Sequence, residues 1–389
     1  MRNRVVVTGI GIMVPNGFGE EAVKRSVLAG EHLFRPVTRF DSTPFRSAFA
    51  AESDFKGSLL ELGLRLAEEA VASSGINDLS ESSIVLGLQG DYNALQQYWR
   101  LKSSGQQSVI PISEFLPSYH LKVLADLYRV KGHRKKISLN NACIASSNAI
   151  GVAYEIINRG QSETALCGGY SLVTEEMFAK FNSGRTFASD GRVRAFSSNR
   201  SGMLLGDGGA MLLLESLEHA QKRGATILAE ILGWGLSCDA FHVCQPHPDG
   251  TGMALAIERA LAAASIQKEE IDYIHAHGTG TPLNDRAETA AIKQAFGAKA
   301  YDTPISSTKT MTGHILEGTG AVETALSILA MKHNTIPPTV GYEQQDPHCD
   351  LDYVPNSPRK NQLNKIINLN ASFGGNNTAI VLQKWVEGG

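Results

Sequence analysis

At an offset of 190 residues the chain repeats itself: Ala70, Ala72, Ile76, Ile84 and Gly90 coincide with Ala260, Ala262, Ile266, Ile274 and Gly280. In both stretches apolar residues at helical spacing give way to a β-branched run. Five identities in twenty-one positions therefore read as a duplicated helix–strand unit. The 389 residues, enough for two or three domains at roughly 150 residues each, then divide near residue 225 into two like α/β halves, 1–225 and 226–389.

The alternation continues on both sides of that seam. Val5 to Val7 reads as a buried strand, Leu59, Leu62, Leu66 and Ala70 recur at helical spacing, and Ser83 to Leu88 reads as a strand. Met253 to Ala264 and Ile271 to Ala276 repeat the helix and the strand. Further on, Asn141-Ala-Cys-Ile-Ala-Ser-Ser147 opens a helix to about Ile157, and Thr312-Gly-His-Ile-Leu-Glu-Gly318 opens one to about Met331. Cys143 and His314 are thereby expected at comparable helix starts. Gly90 to Cys143 is 53 residues and Gly280 to His314 is 34, so the first half carries about 19 extra residues. The stretch Gln106 to Pro117 within them is a candidate lid, pocket wall or subunit contact. Each half is expected to end in a glycine-rich hairpin, one at Gly206-Asp-Gly-Gly-Ala210 and one at Phe373-Gly-Gly-Asn-Asn377.

Composition excludes several function classes. With 42% apolar and 19% charged residues the chain is an ordinary globular one. Thirty-six basic against thirty-nine acidic side chains leave a net charge of −3, so no overall field favours nucleic acid or an anionic membrane. No apolar run of about 18 residues occurs, so neither a membrane span nor a signal peptide is expected. Cys143, Cys167, Cys238, Cys244 and Cys349 are odd in number, widely spaced and free of Cys-x-x-Cys, which fits a reducing, cytoplasmic setting without disulfides or a zinc site.

Three segments can carry chemistry. A thiol at a helix N-terminus, as expected for Cys143, meets unpaired N–H groups and the positive end of the helix dipole, which lowers its pKa and favours the nucleophilic thiolate. The alternative is a buried structural cysteine. Ile274-His-Ala-His277-Gly-Thr279-Gly-Thr281-Pro282 ends a strand in two imidazoles and a loop of small polar groups. No third ligand stands at metal-site spacing, so no metal is expected, and His277 is the active candidate while His275 packs. In Lys309-Thr-Met-Thr-Gly-His314, an imidazole at a helix start is biased toward its neutral form and can donate a hydrogen bond to a developing oxyanion; the alternative is a plain cap. Gly9-Ile-Gly11 lacks the third glycine of a dinucleotide motif, with Val14 in its place. Lys131, Arg134, Lys135 and Lys136 form a basic cluster, either a solvated loop or a docking surface for an acidic partner.

Taken in order, Asn141-Ala-Cys143, Ala276-His277-Gly-Thr-Gly-Thr281, Lys309-Thr-Met-Thr-Gly-His314 and Phe373-Gly-Gly-Asn-Asn377 resemble the β-ketoacyl-acyl carrier protein synthases of the type II, thiolase-fold group. The likeness extends through Leu205-Gly-Asp-Gly-Gly209, His219-Ala-x-x-Arg223-Gly-Ala225 and Cys349-Asp-Leu-Asp-Tyr-Val-Pro355. It implies a duplicated five-layer α/β/α/β/α fold and a decarboxylative Claisen condensation of a malonyl-carrier with an acyl chain on Cys143. His277 and His314 would then stabilise the enolate, and the N–H groups of Cys143 and Phe373 would form the oxyanion hole. Lys309 would orient the second histidine, Glu323 would support it, and Phe373 would gate the thiol. Thr279, Thr281, Gly374 and Gly375 would bind the substrate. The resemblance also implies an acyl carrier protein partner bringing substrates on its phosphopantetheine, no cofactor of the enzyme's own, and a dimer, either with a second copy or with a chain-length-factor-like subunit.

Departures from the synthase II pattern lie around the acyl pocket. Ala371 stands where those enzymes have a second phenylalanine, Ser372 replaces a glycine, and Asn141 replaces a threonine. Arg194 to Gly202 is shortened, with Ser201 for an aspartate, and the region before residue 120 is trimmed. These point to polyketide or polyene biosynthesis, with fatty-acid elongation as the alternative. A non-catalytic chain-length-factor-like subunit is a different class of reading, disfavoured by the presence of Cys143, His277 and His314. A thiolase would need a late cysteine elsewhere than Cys349, and an initiation-type synthase would have asparagine in place of His314.

Overall fold

The computed structural model describes residues 2–106, 111–132 and 135–387. Arg134 of the basic cluster lies outside them. Among the described residues, ten strands form one hydrogen-bonded path, with the short strand Gly17–Phe18 pairing off Val5–Val14. The order is Lys136–Leu139, Ser83–Gly87, Thr164–Ser171, Gly208–Ser216, Val5–Val14, then Ala229–Cys238, Asn376–Lys384, Lys365–Ser372, Tyr273–His275 and Ile305–Ser306. Counted along each half of the chain, both sets of five run third, second, fourth, fifth, first, so the repeat seen in the sequence is a repeat of topology. The three outer strands of each set are parallel and the rest antiparallel. The two first strands join antiparallel through Val5↔Ile231, Val6↔Glu230 and Val7↔Ala229.

Helices complete five layers. Leu59–Ser74 covers the outer face of the first set. It starts at a capping box in which Ser58 accepts from the Glu61 N–H at 3.2 Å and the Glu61 carboxylate accepts from the Ser58 N–H at 2.6 Å. Thr251–Ala264 packs on the equivalent strands of the second set. Glycines permit both contacts: a Cβ at Gly11 would lie 2.0 Å from the Leu66 carbonyl oxygen, and one at Gly235 2.0 Å from that of Ala256. Gly9-Ile-Gly11, read against dinucleotide binding, is thus a packing device, and Gly233-Trp-Gly235 is its counterpart.

The middle layer consists of Ala145–Asn158 and Thr319–His333, each touching strands of both sets. Thr319 to Met331 are buried on every side, so this helix shows no apolar stripe because it has no solvent face. Its Gly320 lies so close to the neighbouring helix that a Cβ there would stand 1.8 Å from Ser147 Oγ.

The expected hairpins form in one half only. Lys365–Ser372 and Asn376–Lys384 turn through Phe373–Gly375, whereas Gly208–Ser216 pairs with Thr164–Ser171 across residues 172–207, which hold the helix Glu175–Ser183. The longer stretch of the first half, between Gly90 and Cys143, holds a helix, Tyr92–Ser103, a 3₁₀ turn, Ile112–Phe115, and a helix, Pro117–Leu127, and residues 107–110 of the candidate lid Gln106 to Pro117 lie outside the described residues.

Candidate active site

Two matching turns build the centre. Ala142–Ile144 and Leu316–Gly318 are 3₁₀ turns entered through a non-glycine residue at positive φ, Ala142 at 55° and Leu316 at 48°. They lead into the middle-layer helices at Ala145 and Thr319, and they pack against each other. Every one of these positions corresponds at an offset of 174 residues. The repeat-mate of Cys143 is therefore Glu317 and not His314. The sequence pattern started the second helix too early. His314 is still extended, donating its N–H to the Leu204 carbonyl at 2.7 Å and accepting from the Gly206 N–H at 3.1 Å.

Cys143 is buried, and burial pushes its thiol up to about 12, with the charge of Glu317 adding to the rise and that of Lys309 opposing it. The expectation of a lowered pKa at a helix start is reversed here, because desolvation of a thiolate outweighs the peptide groups of the turn. Cys143 is therefore held in its thiol form.

Both histidines are neutral. Desolvation and the Lys309 cation hold His314 well below its ordinary value, and His277 likewise, with His314 as a further cause. The His314 Nδ1 accepts the Leu316 N–H at 3.0 Å, so the ring proton is on Nε2; Thr319 Oγ1 lies 3.1 Å from the same Nδ1. The two rings stand at 85° with centroids 5.4 Å apart. His277 Nδ1 is buried without a partner among the described residues. His275 is packed as expected, between Ser327 Oγ at 2.9 Å and Thr308 Oγ1 at 3.0 Å.

Two carboxylates that sequence reasoning passed over hold the His277 loop. Glu288 accepts the N–H groups of His277 and Gly278 at 2.6 and 2.8 Å, and Asp285 accepts that of Gly280 at 3.1 Å. Their spacing on one face of the helix Pro282–Phe296, directly after the loop, was the available signal. Thr279 and Thr281 share a 2.8 Å hydrogen bond, and Thr281 caps that helix.

Lys309 is 2% exposed and pairs with Glu323, also 2% exposed, at 2.5 Å. The second carboxylate oxygen accepts from Asn370 at 2.5 Å, and Asn370 accepts from Ser147 Oγ at 2.7 Å. This chain ties the lysine to the helix that follows Cys143.

Cys143 opens into a pocket of about 140 Å³ whose walls include Gln89, Lys180, Phe181, Glu317 and Phe373. Phe373 is 42% exposed and stacks on Phe181 with centroids 5.7 Å apart. Gly374 and Gly375, at φ 87° and 75°, make the turn, and their N–H groups are already donated to the carbonyls of Val243 and Ser372. They shape the loop and present no free donor. Of the departures, Asn141, two residues before Cys143, has a buried Oδ1 without a partner among the described residues, and Ala371 faces a separate cleft with Asp239 and Glu288. In the basic cluster, Lys131 and Lys135 both pair with Glu81, at 3.5 and 3.0 Å, and Lys136 begins the strand that ends just before Cys143.

Sequence profiles of two families match the chain: the N-terminal domain of β-ketoacyl synthases over residues 51–220 and the C-terminal domain over residues 228–343. A 3-oxoacyl-[acyl-carrier-protein] synthase 2 of Coxiella burnetii is 34% identical, covering 98% of this chain and 99% of its own. A putative polyketide β-ketoacyl synthase 1 of Streptomyces cyaneus is also 34% identical, with 98% of each chain covered. The solved ishigamide ketosynthase/chain length factor superposes with a TM-score of 0.91 at 31% identity, over 99% of this chain and 100% of that one.

Proposed function

The chain belongs to the β-ketoacyl synthase family, an acyltransferase that performs β-ketoacyl condensation, and on that premise we propose that it is the ketosynthase of a type II polyketide or polyene pathway. The observation that supports the condensation is a small pocket in which a buried thiol, Cys143, meets an aromatic flap, Phe373, with neutral His314 tied to the adjoining turn through the Leu316 N–H and His277 packed against His314; the pathway rests on the departures at Asn141, Ala371 and Ser372.

In this reading Cys143 Sγ attacks the carbonyl of a carrier-bound acyl thioester. The sulfur–carbon bond of the acyl-enzyme forms, and the pantetheine thiol leaves with the proton. Thr279 and Thr281 bond the arm of the malonyl-carrier that follows. His314, donating from Nε2, and His277 hold the thioester oxygen while carbon dioxide departs, and neutral donors suit that task because no proton need be lost. The carbanion attacks the acyl-Cys143 carbonyl, whose oxyanion meets the N–H groups of Cys143 and Phe373; as it collapses the carbon–sulfur bond breaks, Cys143 sulfur leaves and regains a proton, and the β-ketoacyl-carrier departs. Burial keeps both imidazoles unprotonated, and the charge of Lys309, fixed by Glu323, adds to it. The halves 1–225 and 226–389 act only together, since the thiol comes from one and the imidazoles from the other.

The partners in this reading are an acyl carrier protein and either a second copy or a chain-length-factor-like subunit, in the cytoplasm. Lys131 and Lys135 share the one carboxylate of Glu81 and so keep a net positive charge, and carrier docking at that cluster would use it together with Lys136. The pathway is tested by supplying malonyl-carrier with long saturated or conjugated polyenoyl starters, with and without the candidate partner subunit. Preference for conjugated or oxygenated chains is expected, and a strong preference for long saturated chains would assign the protein to fatty-acid elongation.

A further inference from the structure

Among the pocket groups that the mechanism above leaves unused is a buried carboxyl. Glu317 occupies in the second half the place that Cys143 occupies in the first, in a matching strained turn, and its side chain lines the same cavity. It is 3% exposed and makes no side-chain hydrogen bond among the described residues; only the N–H groups of Gln89 and of Glu317 itself face it. Lys180, from the helix Glu175–Ser183, also lines the cavity, with its Nζ 3.8 Å from the Tyr92 ring centroid. Glu317 and Met177 also border a smaller void behind the first, beside Asp91 and Ser171. The carboxyl thus stands where an acyl chain leaving Cys143 must pass.

We infer that Glu317 is a specificity-determining residue that selects acyl chains bearing a hydroxyl or ketone oxygen near the thioester over plain hydrocarbon chains. This rests on the ketosynthase reading and narrows it. A cavity of about 140 Å³ is close to the ~150 Å³ apolar cavity that takes one benzene ring, so about six heavy atoms fit. Those are the carbons nearest the thioester, and Glu317 meets that segment and not a distant tail. A hydrocarbon there would leave the buried carboxyl with only the N–H groups of Gln89 and of Glu317 itself, whereas a β-oxygen supplies a further partner on the cavity side.

The groups acting on this carboxyl are the Lys180 cation, the N–H groups of Gln89 and Glu317, and the Cys143 thiol across the cavity. Burial raises the carboxyl to about 7. A ketone can only accept a hydrogen bond, so its recognition needs the protonated form and fades as pH rises through that value.

The test offers the purified protein pantetheine thioesters of a short saturated chain and of its β-hydroxy, β-keto and conjugated dienoyl counterparts, following acyl-Cys143 by intact mass. The wild type is expected to load oxygenated chains at least about tenfold faster than the hydrocarbon ones. Glu317→Leu should reverse the order. Glu317→Gln, close in size and still a donor, should keep the β-keto preference but lose its decline between about pH 6 and 8. Equal or faster loading of the saturated chain by the wild type, or an unchanged ratio in Glu317→Leu, overturns the inference while leaving the ketosynthase reading intact. Failure of every thioester to acylate Cys143 overturns both.

Discussion

Replacing Lys309 by methionine removes the cation whose charge reaches Cys143, His277 and His314 together. What remains is Glu323, 2% exposed, with the Asn370 amide as its surviving partner. Breaking a buried pair from one side costs about 3–5 kcal/mol, because the other charge stays buried and uncompensated. The cost depends on pH in a defined direction. Burial already raises Glu323 above the ordinary carboxylate range, with Lys309 pulling it down, so losing Lys309 raises it further. A carboxyl raised in the folded state keeps its stability below the unfolded pKa and loses it as pH climbs through the folded one. In urea unfolding, Lys309→Met should therefore fall well short of the wild type at about pH 8 and approach it at about pH 5.5. Adding Glu323→Leu should recover much of the loss at pH near 8, since replacing both partners leaves no stranded charge. A Lys309→Met protein as stable as the wild type at pH near 8, or equally destabilised at both pH values, would refute the argument.

The thiol should behave as its burial dictates: Cys143 alkylation by iodoacetamide, read by peptide mass, is expected to rise about tenfold per pH unit through pH 9 to 10 without a plateau. A plateau below about pH 8 would show a thiolate already formed at rest. His314→Ala should lower malonyl-carrier decarboxylation by about 10²–10³, the usual cost of one oxyanion donor, while Cys143 alkylation is unaffected. Gly320→Ala places a Cβ 1.8 Å from Ser147 Oγ and must part the middle-layer helices. A loss of about 1–3 kcal/mol by urea unfolding is expected, together with impaired acylation, and wild-type stability would contradict the contact.

Much of this architecture was readable because duplication leaves two copies of each signal. The offset of 190 residues located Leu59–Ser74 with Thr251–Ala264 and Ser83–Gly87 with Tyr273–His275. Cys143, His277 and His314 stood out through the resemblance of their motifs, taken in order, to the β-ketoacyl synthases; on residues alone a buried thiol beside small residues is no signal, as Cys167 before Gly168 and Gly169 shows. What escaped was tertiary. His314 was matched to Cys143 because its glycine looked like a helix start, whereas an extended bridge to Leu205 delays that helix and puts Glu317 in the matching place. The sign of the Cys143 shift was missed because the helix dipole is local and legible while desolvation depends on what packs on top. Glu288 and Asp285 are ordinary helix carboxylates until the fold buries them under backbone N–H groups. The first-half hairpin failed because nothing local distinguishes a tight turn from strands joined across residues 172–207.

The central claim, that Cys143 carries the growing chain between two carrier-bound substrates, is met most directly by intact-mass analysis of the protein during turnover. Acyl-carrier alone should add one acyl group, mapped to Cys143. Malonyl-carrier should then discharge it, with release of carbon dioxide and appearance of the β-ketoacyl-carrier. An adduct that persists in Cys143→Ala, or an acyl-Cys143 that malonyl-carrier does not discharge, would contradict the account.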